Sequence, residues 1–341
     1  MNLPRLLSLG LSCAMILTAA CSKQPAASTT TANQAAAPAK IKLGFLVKQP
    51  EEPWFQDEWK GAEKAAAQYG FDLVKQGVQD GEKVMGMIDN LAVAGAQGFV
   101  ICTPDVRLGP ALMARAKQRG LKVVTVDDQF ISDGKFMLEV PYLGMSASRI
   151  GAQQGAALAA EMKRRGWSAD ETGVCAITFE ELDTARERTD ASIAALKGAG
   201  ISAARIFKAA QKTTDIPGSF DAANVLLTQH PEVKRWLILG MNDSAVLGAV
   251  RAVESRGFTA DTAAGIGING TDCLDELRKA KATPFFGSMR VSAIGEGFAT
   301  AEMLYKWVKD GTPPALDTRT EGTLMTRENL EAVLKKEAAG G

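Results

Sequence analysis

Histidine is scarce in this sequence, and cysteine and histidine are never grouped at the spacing of metal ligands. His230 is the only histidine among 341 residues, and no two of the five cysteines form a CxxC pair. Structural zinc sites and Cys–His nucleophiles need such groupings. We therefore expect neither a metal site nor a cofactor, and we interpret Cys102, Cys175 and Cys273 as small buried apolar residues.

Runs of charge of one sign are also missing. Lys and Arg total 39 and Asp and Glu total 39, so the formal net charge is zero. A nucleic-acid groove needs clustered basic residues that neutralise phosphates, which excludes nucleic acid as an expected partner. No P-loop occurs, so a nucleotide phosphate held by such a loop is not expected. The length and the apolar content of 46% fit a soluble globular protein with two ordinary domains.

Long apolar runs are absent too, and a short one stands near the N-terminus. The run LLSLGLSCAMILTAA is too short to span a bilayer comfortably and is typical of a secretory signal peptide, here over residues 1–20. LTAAC resembles the bacterial lipobox, in which cleavage precedes a lipidated cysteine, here Cys21. Ordinary cleavage after a small residue is the alternative. Residues 21–40 are rich in Ala, Ser and Thr and predict a flexible linker behind the lipid-anchor cysteine.

From residue 41 onward, strand patterns alternate with helical patterns. IKLGFLV (41–47), GFVIC (98–102) and LKVVTV (121–126) are strand-like, and apolar residues between them recur at helical spacing, as from Phe55 to Tyr69. The alternation restarts after residue 148 and ends with a helix predicted from about residue 326. This pattern predicts an α/β protein with two similar, doubly wound, parallel-sheet lobes.

Charged, amide and aromatic residues follow the predicted strands in both halves of the chain. Ligands of parallel sheets bind beyond the carboxyl ends of the strands, which makes these residues candidates for one site. The candidates are Lys48, Glu52, Trp54, Phe55, Asp127 and Asp128 in the first half and Thr184, Arg188, Met241, Asn242 and Asn269 in the second.

This mixture of side chains suits a polyhydroxylated ligand. Carboxylates accept hydrogen bonds from hydroxyl groups, Lys, Arg and amide nitrogens donate to hydroxyl oxygens, and the apolar face of a pyranose stacks on an aromatic ring. Each residue also has a simpler explanation. Lys48 and Glu52 could form an exposed ion pair, and Asn242 and Asn269 could be helix N-caps or turn residues.

Six segments carry a resemblance to a known family: KIKLGFLVKQPEEPWFQ, GFVICTPD, VDDQF, ELDTAR, GMNDS and GIGING. In this order, from about residue 40 onward, they closely resemble the periplasmic L-arabinose-binding proteins, the substrate-binding components of ABC sugar importers. The resemblance implies two lobes, 41–145 plus 291–320 and 146–290 plus 321–341, joined by a three-strand hinge around a ligand cleft. It implies that the sugar is hydrogen-bonded by Lys48, Glu52, Asp127, Asp128, Arg188, Asn242 and Asn269, covered by Trp54 and Phe55, and lined by Cys102, Met145, Thr184 and Met241.

The resemblance further implies a monomeric, non-enzymatic periplasmic protein that delivers L-arabinose, D-galactose or D-fucose to an inner-membrane ABC permease. Two segments depart from the family pattern. GSMRVSAIGEG (287–297) stands at a crossing between lobes where the pattern is apolar and contains proline, and Glu180 and Glu181 replace small and amide groups. The alternatives are an exported sugar sensor, a binding protein for another aldose and a glycosidase using Asp127 and Asp128. A sugar-responsive repressor would begin with a helix-turn-helix instead.

Overall fold

Two six-stranded sheets, each covered by helices, form the part of the chain that the computed structural model describes, residues 40–340. Side chains are described up to residue 337. The predicted signal peptide, Cys21 and nearly all of the predicted linker lie outside these residues. Within residues 40–340, no helix combines the length and the apolar character that crossing a membrane requires.

The first half of the chain alternates strands and helices. Its elements are β1 Lys42–Val47, α1 Pro53–Tyr69, β2 Asp72–Gly77, α2 Gly81–Val93, β3 Gly98–Ile101, α3 Gly109–Gln118, β4 Lys122–Val126, β5 Ile131–Ser132, β6 Lys135–Phe136 and β7 Tyr142–Met145. A short 3-10 turn over Val106–Leu108 precedes α3.

The second half repeats the pattern. Its elements are α4 Ala147–Arg164, β8 Thr172–Thr178, α5 Asp183–Gly198, β9 Ile206–Ala210, α6 Ile216–Gln229, β10 Arg235–Leu239, α7 Asp243–Glu254, β11 Ala263–Asn269, α8 Leu274–Arg278, β12 Phe285–Arg290, α9 Ala293–Asp310, β13 Asp317–Thr320, β14 Thr323–Thr326 and α10 Leu330–Gly340. A 3-10 turn over Ala203–Arg205 leads into β9.

The strand order confirms the predicted α/β fold class with two doubly wound sheets. The first sheet runs β2-β1-β3-β4-β7-β13 and is parallel throughout. The second runs β9-β8-β10-β11-β12-β14, and only its edge strand β14 is antiparallel. In each sheet the winding reverses beside the first strand, β1 or β8. A crevice opens at such a reversal beyond the carboxyl ends of the strands, and ligands bind there.

The chain passes between the two sheets three times. The crossings lie at Ser146, between β7 and α4, at Val291–Ser292, between β12 and α9, and at Glu321–Gly322, between β13 and β14. We call the sheet that contains β1, with α1–α3 and α9, the first lobe, and the sheet that contains β8, with α4–α8 and α10, the second lobe.

Helices α1 and α9 of the first lobe touch backbone to backbone. A Cβ at Gly61 would lie 2.0 Å from the carbonyl oxygen of Ile294, and one at Gly297 would lie 2.0 Å from the carbonyl oxygen of Glu58. Only glycine permits this approach, because any side chain would separate the helices. The close contact of these two helices brings Glu58 of α1 near Glu296 of α9, a pairing that no sequence pattern indicates.

The C-terminal end differs from the prediction. The predicted helix from about residue 326 begins at Leu330, and two strands, β13 and β14, were not predicted. Asp317–Thr320 reads DTRT, which has neither apolar alternation nor apolar bulk. It becomes a strand because its backbone pairs in register with Tyr142–Met145 of β7.

Candidate functional site

A cavity of about 860 Å³ lies between the carboxyl ends of the two sheets. Both lobes contribute to its walls, chiefly through segments that follow β1, β3, β4, β8, β10 and β11. The predicted site residues that line it are Lys48, Glu52, Trp54, Phe55, Asp127, Asp128, Met145, Thr184, Arg188, Met241, Asn242 and Asn269. These residues therefore lie around one cavity, as expected from the strand-end rule, that is, the rule that ligands bind beyond the carboxyl ends of parallel strands. Their roles toward a ligand stay a prediction.

Cys102 is the exception among the predicted lining residues. It is fully buried, and its Sγ lies 3.8 Å from Asp128 Oδ2, within hydrogen-bonding range for a thiol. Burial raises the pKa of the thiol well above its ordinary value, so Cys102 stays protonated. It supports Asp128 from behind instead of lining the cavity.

Asp128 is the centre of a buried polar chain. Lys48 Nζ donates to Oδ2 at 2.6 Å, and Thr184 Oγ1 donates to Oδ1 at 2.7 Å, so the second bond spans the cleft between the lobes. Burial favours the neutral carboxyl, yet Lys48 and these hydrogen bonds hold the pKa of Asp128 below its usual value. Burial likewise opposes the charge on Lys48, but Asp128 raises the pKa of the amine above its ordinary value. The pair is ionised, and its carboxylate keeps lone pairs for a ligand hydroxyl.

Asp127 lies beside Asp128 in a left-handed backbone conformation. Its φ is 61°, which is uncommon outside glycine and costs conformational energy. Tyr142 Oη donates to the Asp127 carbonyl at 2.9 Å and holds this turn. Trp54 Nε1 lies 3.2 Å from both carboxylate oxygens of Asp127, so the carboxylate orients the indole. Trp54 is 4% exposed and presents its remaining surface to the cavity.

Three carboxyl groups meet behind this turn. Oxygens of Glu58, Asp127 and Glu296 all lie within 4.8 Å of one another. Burial, followed by the neighbouring carboxylates, raises the pKa of Glu58 well above its ordinary value, that of Asp127 to about 6 and that of Glu296 to about 8. Three carboxyl groups at this distance either share protons or hold a cation, because three negative charges this close repel one another.

Arg188 brings a buried cation from the second lobe to the cavity. Its Nε donates to the Thr184 carbonyl at 3.0 Å and its Nη1 to the Met241 carbonyl at 2.8 Å. Burial lowers the pKa of the guanidinium, and the carboxylates of Asp128 and Asp127 partly offset this effect. An arginine remains charged even so. Its planar head is thus fixed by backbone carbonyls opposite the two aspartates.

Asn242 and Asn269 combine a structural and a lining position. Asn242 is the N-cap of α7, where its Oδ1 accepts from Ala245 N at 2.9 Å, which leaves the amide nitrogen as a donor. Asn269 ends β11 with a φ of 97°. Its buried Oδ1 accepts no hydrogen bond from the residues that the structure describes. Asn242 is therefore an N-cap and Asn269 a turn residue, as the simpler explanations predict, and both also line the cavity.

The segment between β1 and α1 divides its two glutamates. Glu52 lines the cavity and accepts from Gln49 Nε2 at 2.8 Å. Burial, then the negative charge of Asp272 in the second lobe, raises the pKa of Glu52 to about 7. Glu51 faces outward and accepts from Gln79 Nε2 at 2.9 Å.

Some lining residues were not predicted. They include Gln49, Asp105, Arg107, Phe179, Asp183 and Thr214. Phe179 directly follows β8, so the strand-end rule could have found it. Thr214 lies on the loop that follows β9 and approaches Gln49 across the cleft, with 3.5 Å between Oγ1 and Nε2. Of the two glutamates that depart from the family pattern, Glu181 lines the cavity.

Two known proteins similar in sequence to this chain are both L-arabinose-binding periplasmic proteins. The chain is 53% identical over 311 residues to the L-arabinose-binding periplasmic protein of Escherichia coli K12, covering 91% of this chain and 94% of that protein. It is 49% identical over 301 residues to the ABC transporter L-arabinose-binding periplasmic protein of Azospirillum brasilense, covering 88% and 90%. Both alignments span nearly the whole of each protein.

Solved structures and a family model agree on the fold. An ABC transporter periplasmic solute binding protein from Actinobacillus succinogenes 130z, solved with bound D-allose, superposes with a TM-score of 0.74 at 17% identity, covering 86% of this chain and all of that one. The model of periplasmic binding proteins and the sugar binding domain of the LacI family matches residues 40–333. The chain therefore belongs to the family of periplasmic binding proteins and sugar-binding domains of the LacI family.

Proposed function

We propose that the protein is the substrate-binding component of an ABC-type monosaccharide importer in the periplasm, and that it binds L-arabinose, or the similar D-galactose or D-fucose, between its lobes. It delivers the sugar to a membrane permease and performs no chemistry. One observation carries the proposal: both lobes direct ionised, amide and aromatic groups into a single cavity. The near-complete alignment with two L-arabinose-binding proteins supports the choice of sugar.

The contacts suggest how each group acts. Asp128 and Asp127 accept from sugar hydroxyls, while Lys48, Arg188 and the amide nitrogen of Asn242 donate to them. Trp54, held by Asp127, stacks on the apolar face of the ring. Asp127 and Asp128 are adjacent on one strand end, whereas glycosidase carboxylates flank the bond they cleave. This placement disfavours the glycosidase alternative.

We further propose that the lobes, 41–145 plus 291–320 and 146–290 plus 321–341, close on the sugar by rotating about the three crossings. The bond from Thr184 to Asp128 spans the cleft in this structure and would hold the closed form. Domain closure around a ligand is a common conformational change, in which a few residues between the domains absorb the change in backbone angles. A lipid anchor at Cys21 remains a prediction on residues outside the described part.

Calorimetric titration of the purified mature protein tests the proposed ligand. We expect a one-to-one complex with L-arabinose, D-galactose or D-fucose that is at least about tenfold tighter than with D-xylose or D-ribose. A sugar of the wrong stereochemistry leaves a buried polar group of the site without its hydrogen-bond partner, and each such loss weakens binding by about tenfold or more. Stronger binding of D-xylose or D-ribose would refute the named sugars while keeping sugar binding. Absence of binding to every aldose would refute the function.

Trp54→Leu is expected to weaken sugar binding by about 10- to 100-fold, because loss of the ring removes stacking and apolar burial. Trp59→Leu is the matched control. Trp59 lies on the same helix, outside the cavity, and its Nε1 donates to the Phe45 carbonyl at 3.2 Å. Both variants should lose stability, but only the first should lose affinity in calorimetry. Equal affinities in the two variants would contradict stacking on Trp54.

A further inference from the structure

Arg290 is a buried cation at the end of β12, immediately before the second crossing between the lobes. It is 8% exposed. On one side its Nη1 donates to the Gly270 carbonyl at 2.8 Å and to Thr271 Oγ1 at 3.0 Å. On the other side its Nε donates to Glu337 Oε2 of α10 at 3.0 Å, and Nη2 lies 3.0 Å from the same oxygen. The guanidinium therefore links the loop after β11 to the C-terminal helix.

The loop that Arg290 holds begins at Asn269, a residue of the cavity wall. Asn269 has a φ of 97°, a conformation that surrounding contacts must impose on a residue with a side chain. The next residue, Gly270, packs against the stem of Arg290, and a Cβ there would lie 2.6 Å from Arg290 Cδ. Val291 N also donates to the Asn269 carbonyl at 3.1 Å. The backbone of Asn269 thus depends on β12 and on the guanidinium.

Glu337 fixes the guanidinium from behind. Its side chain is 22% exposed, whereas that of Arg290 is 7% exposed, so the pair is largely withdrawn from water. A buried guanidinium needs both a counter-charge and filled donors, or it becomes costly. Glu337 supplies the charge and leaves Nη1 for the loop. Arg290 is not among the cavity-lining residues, so it acts on a ligand through Asn269.

We infer that Arg290 is a positioning residue that holds Asn269 in its sugar-binding orientation, and that α10 takes part through Glu337. The inference rests on the proposed function. The Asn269 amide offers an acceptor and a donor on one rigid plane, so its orientation decides which hydroxyl arrangement is satisfied. Loosening the loop reduces affinity for the sugar that matches this arrangement more than affinity for one that does not.

A double-mutant cycle measures this coupling. The wild type, Arg290→Met, Asn269→Ala and the double variant are titrated with L-arabinose and D-galactose by calorimetry. We expect about a tenfold weaker affinity in Arg290→Met, because Met keeps the stem but removes the donors. The double variant should bind within about twofold of Asn269→Ala alone, because Arg290 has no further effect once the amide is gone. Losses that multiply would instead indicate general destabilisation and would overturn the inference.

Arg278→Met is the matched control. Arg278 pairs with Glu331, also on α10, at 3.3 Å, but this pair is exposed and lies outside the cavity. We expect unchanged sugar affinity. Arg290→Lys is a second variant in case Arg290→Met does not fold: it keeps the charge against Glu337, cannot donate to both loop partners, and should bind at least about threefold more weakly than wild type.

The outcomes separate the two proposals. A wild type that binds neither sugar refutes the proposed function, and the inference falls with it. A wild type that binds, together with a folded Arg290→Met of equal affinity, overturns the inference alone.

Discussion

Asp128→Asn is expected to weaken sugar binding by about 100-fold or more. The substitution removes a buried carboxylate that accepts from Lys48 at 2.6 Å and from Thr184 at 2.7 Å. It leaves the ammonium of Lys48 buried without its counter-charge, and breaking one side of a buried ion pair typically costs about 2–5 kcal/mol. The hydrogen bond across the cleft also weakens, so the closed form loses stability. Calorimetric titration with L-arabinose measures the loss.

Asp105→Asn is the control for Asp128→Asn. Asp105 also lines the cavity, but its carboxylate pairs with exposed Arg107 at 2.9 Å. Exposed pairs contribute about 0–1 kcal/mol, so affinity should change by less than about threefold. Circular dichroism confirms that both variants are folded. Equal affinity of folded Asp128→Asn and wild type would remove Asp128 from the binding residues.

Glu296→Gln is expected to stabilise the unliganded protein at pH 8 and to leave its stability at pH 4.5 nearly unchanged. Burial raises the pKa of Glu296 from 4.5 to about 8, so between these pH values the folded protein holds a proton that the unfolded chain has released. Stability of the wild type therefore falls as the pH rises through this window. The amide introduced by the substitution stays neutral, can still accept from Thr320 Oγ1, and can donate to a Glu58 oxygen, since neither oxygen has a hydrogen-bond partner among the described residues. The gain at pH 8 should be on the order of 3 kcal/mol.

Urea unfolding at pH 4.5 and pH 8 measures this difference, with Glu302→Gln as control. Glu302 is on the same helix, but it pairs with Lys306 at 2.8 Å, and Lys306 and Tyr69 keep its pKa below the ordinary value despite partial burial. Its substitution should bring no gain at pH 8. A pH profile of Glu296→Gln parallel to that of wild type would disprove shared protons. Destabilisation by a chelator together with destabilisation by Glu296→Gln would indicate a bound cation instead.

Much of the fold was predictable because the central strands are apolar in sequence and are also buried in the folded protein. IKLGFLV is apolar because β1 lies between neighbours in the middle of its sheet. The edge strand β13 was missed for the opposite reason. Asp317–Thr320 is polar and half exposed, and only backbone pairing with β7 makes it a strand. Edge pairing of this kind leaves little trace in the order of side chains.

The candidate site was predictable where residues follow strands. Lys48, Asp128 and Asn242 stand just beyond β1, β4 and β10, and parallel strands bring their ends to one edge. Thr214 also follows a strand, β9, on the loop that leads to α6, and it was missed although the rule applies to it. Cys102 follows the rule in sequence, but its side chain turns behind Asp128.

By itself the sequence determined the fold class and the sheet edge at which the candidate binding residues gather. These depend on periodicity and on residue types at strand ends, both of which are local. Only the tertiary structure decided which other residues contact those groups and so set their pKa values and orientations. The contact of α1 with α9 at Gly61 and Gly297 places Glu58 beside Glu296, and β12 places Arg290 between Asn269 and α10. Such pairings join residues that are far apart in the chain. They depend on how closely helices and strands pack in three dimensions, which local sequence patterns do not show.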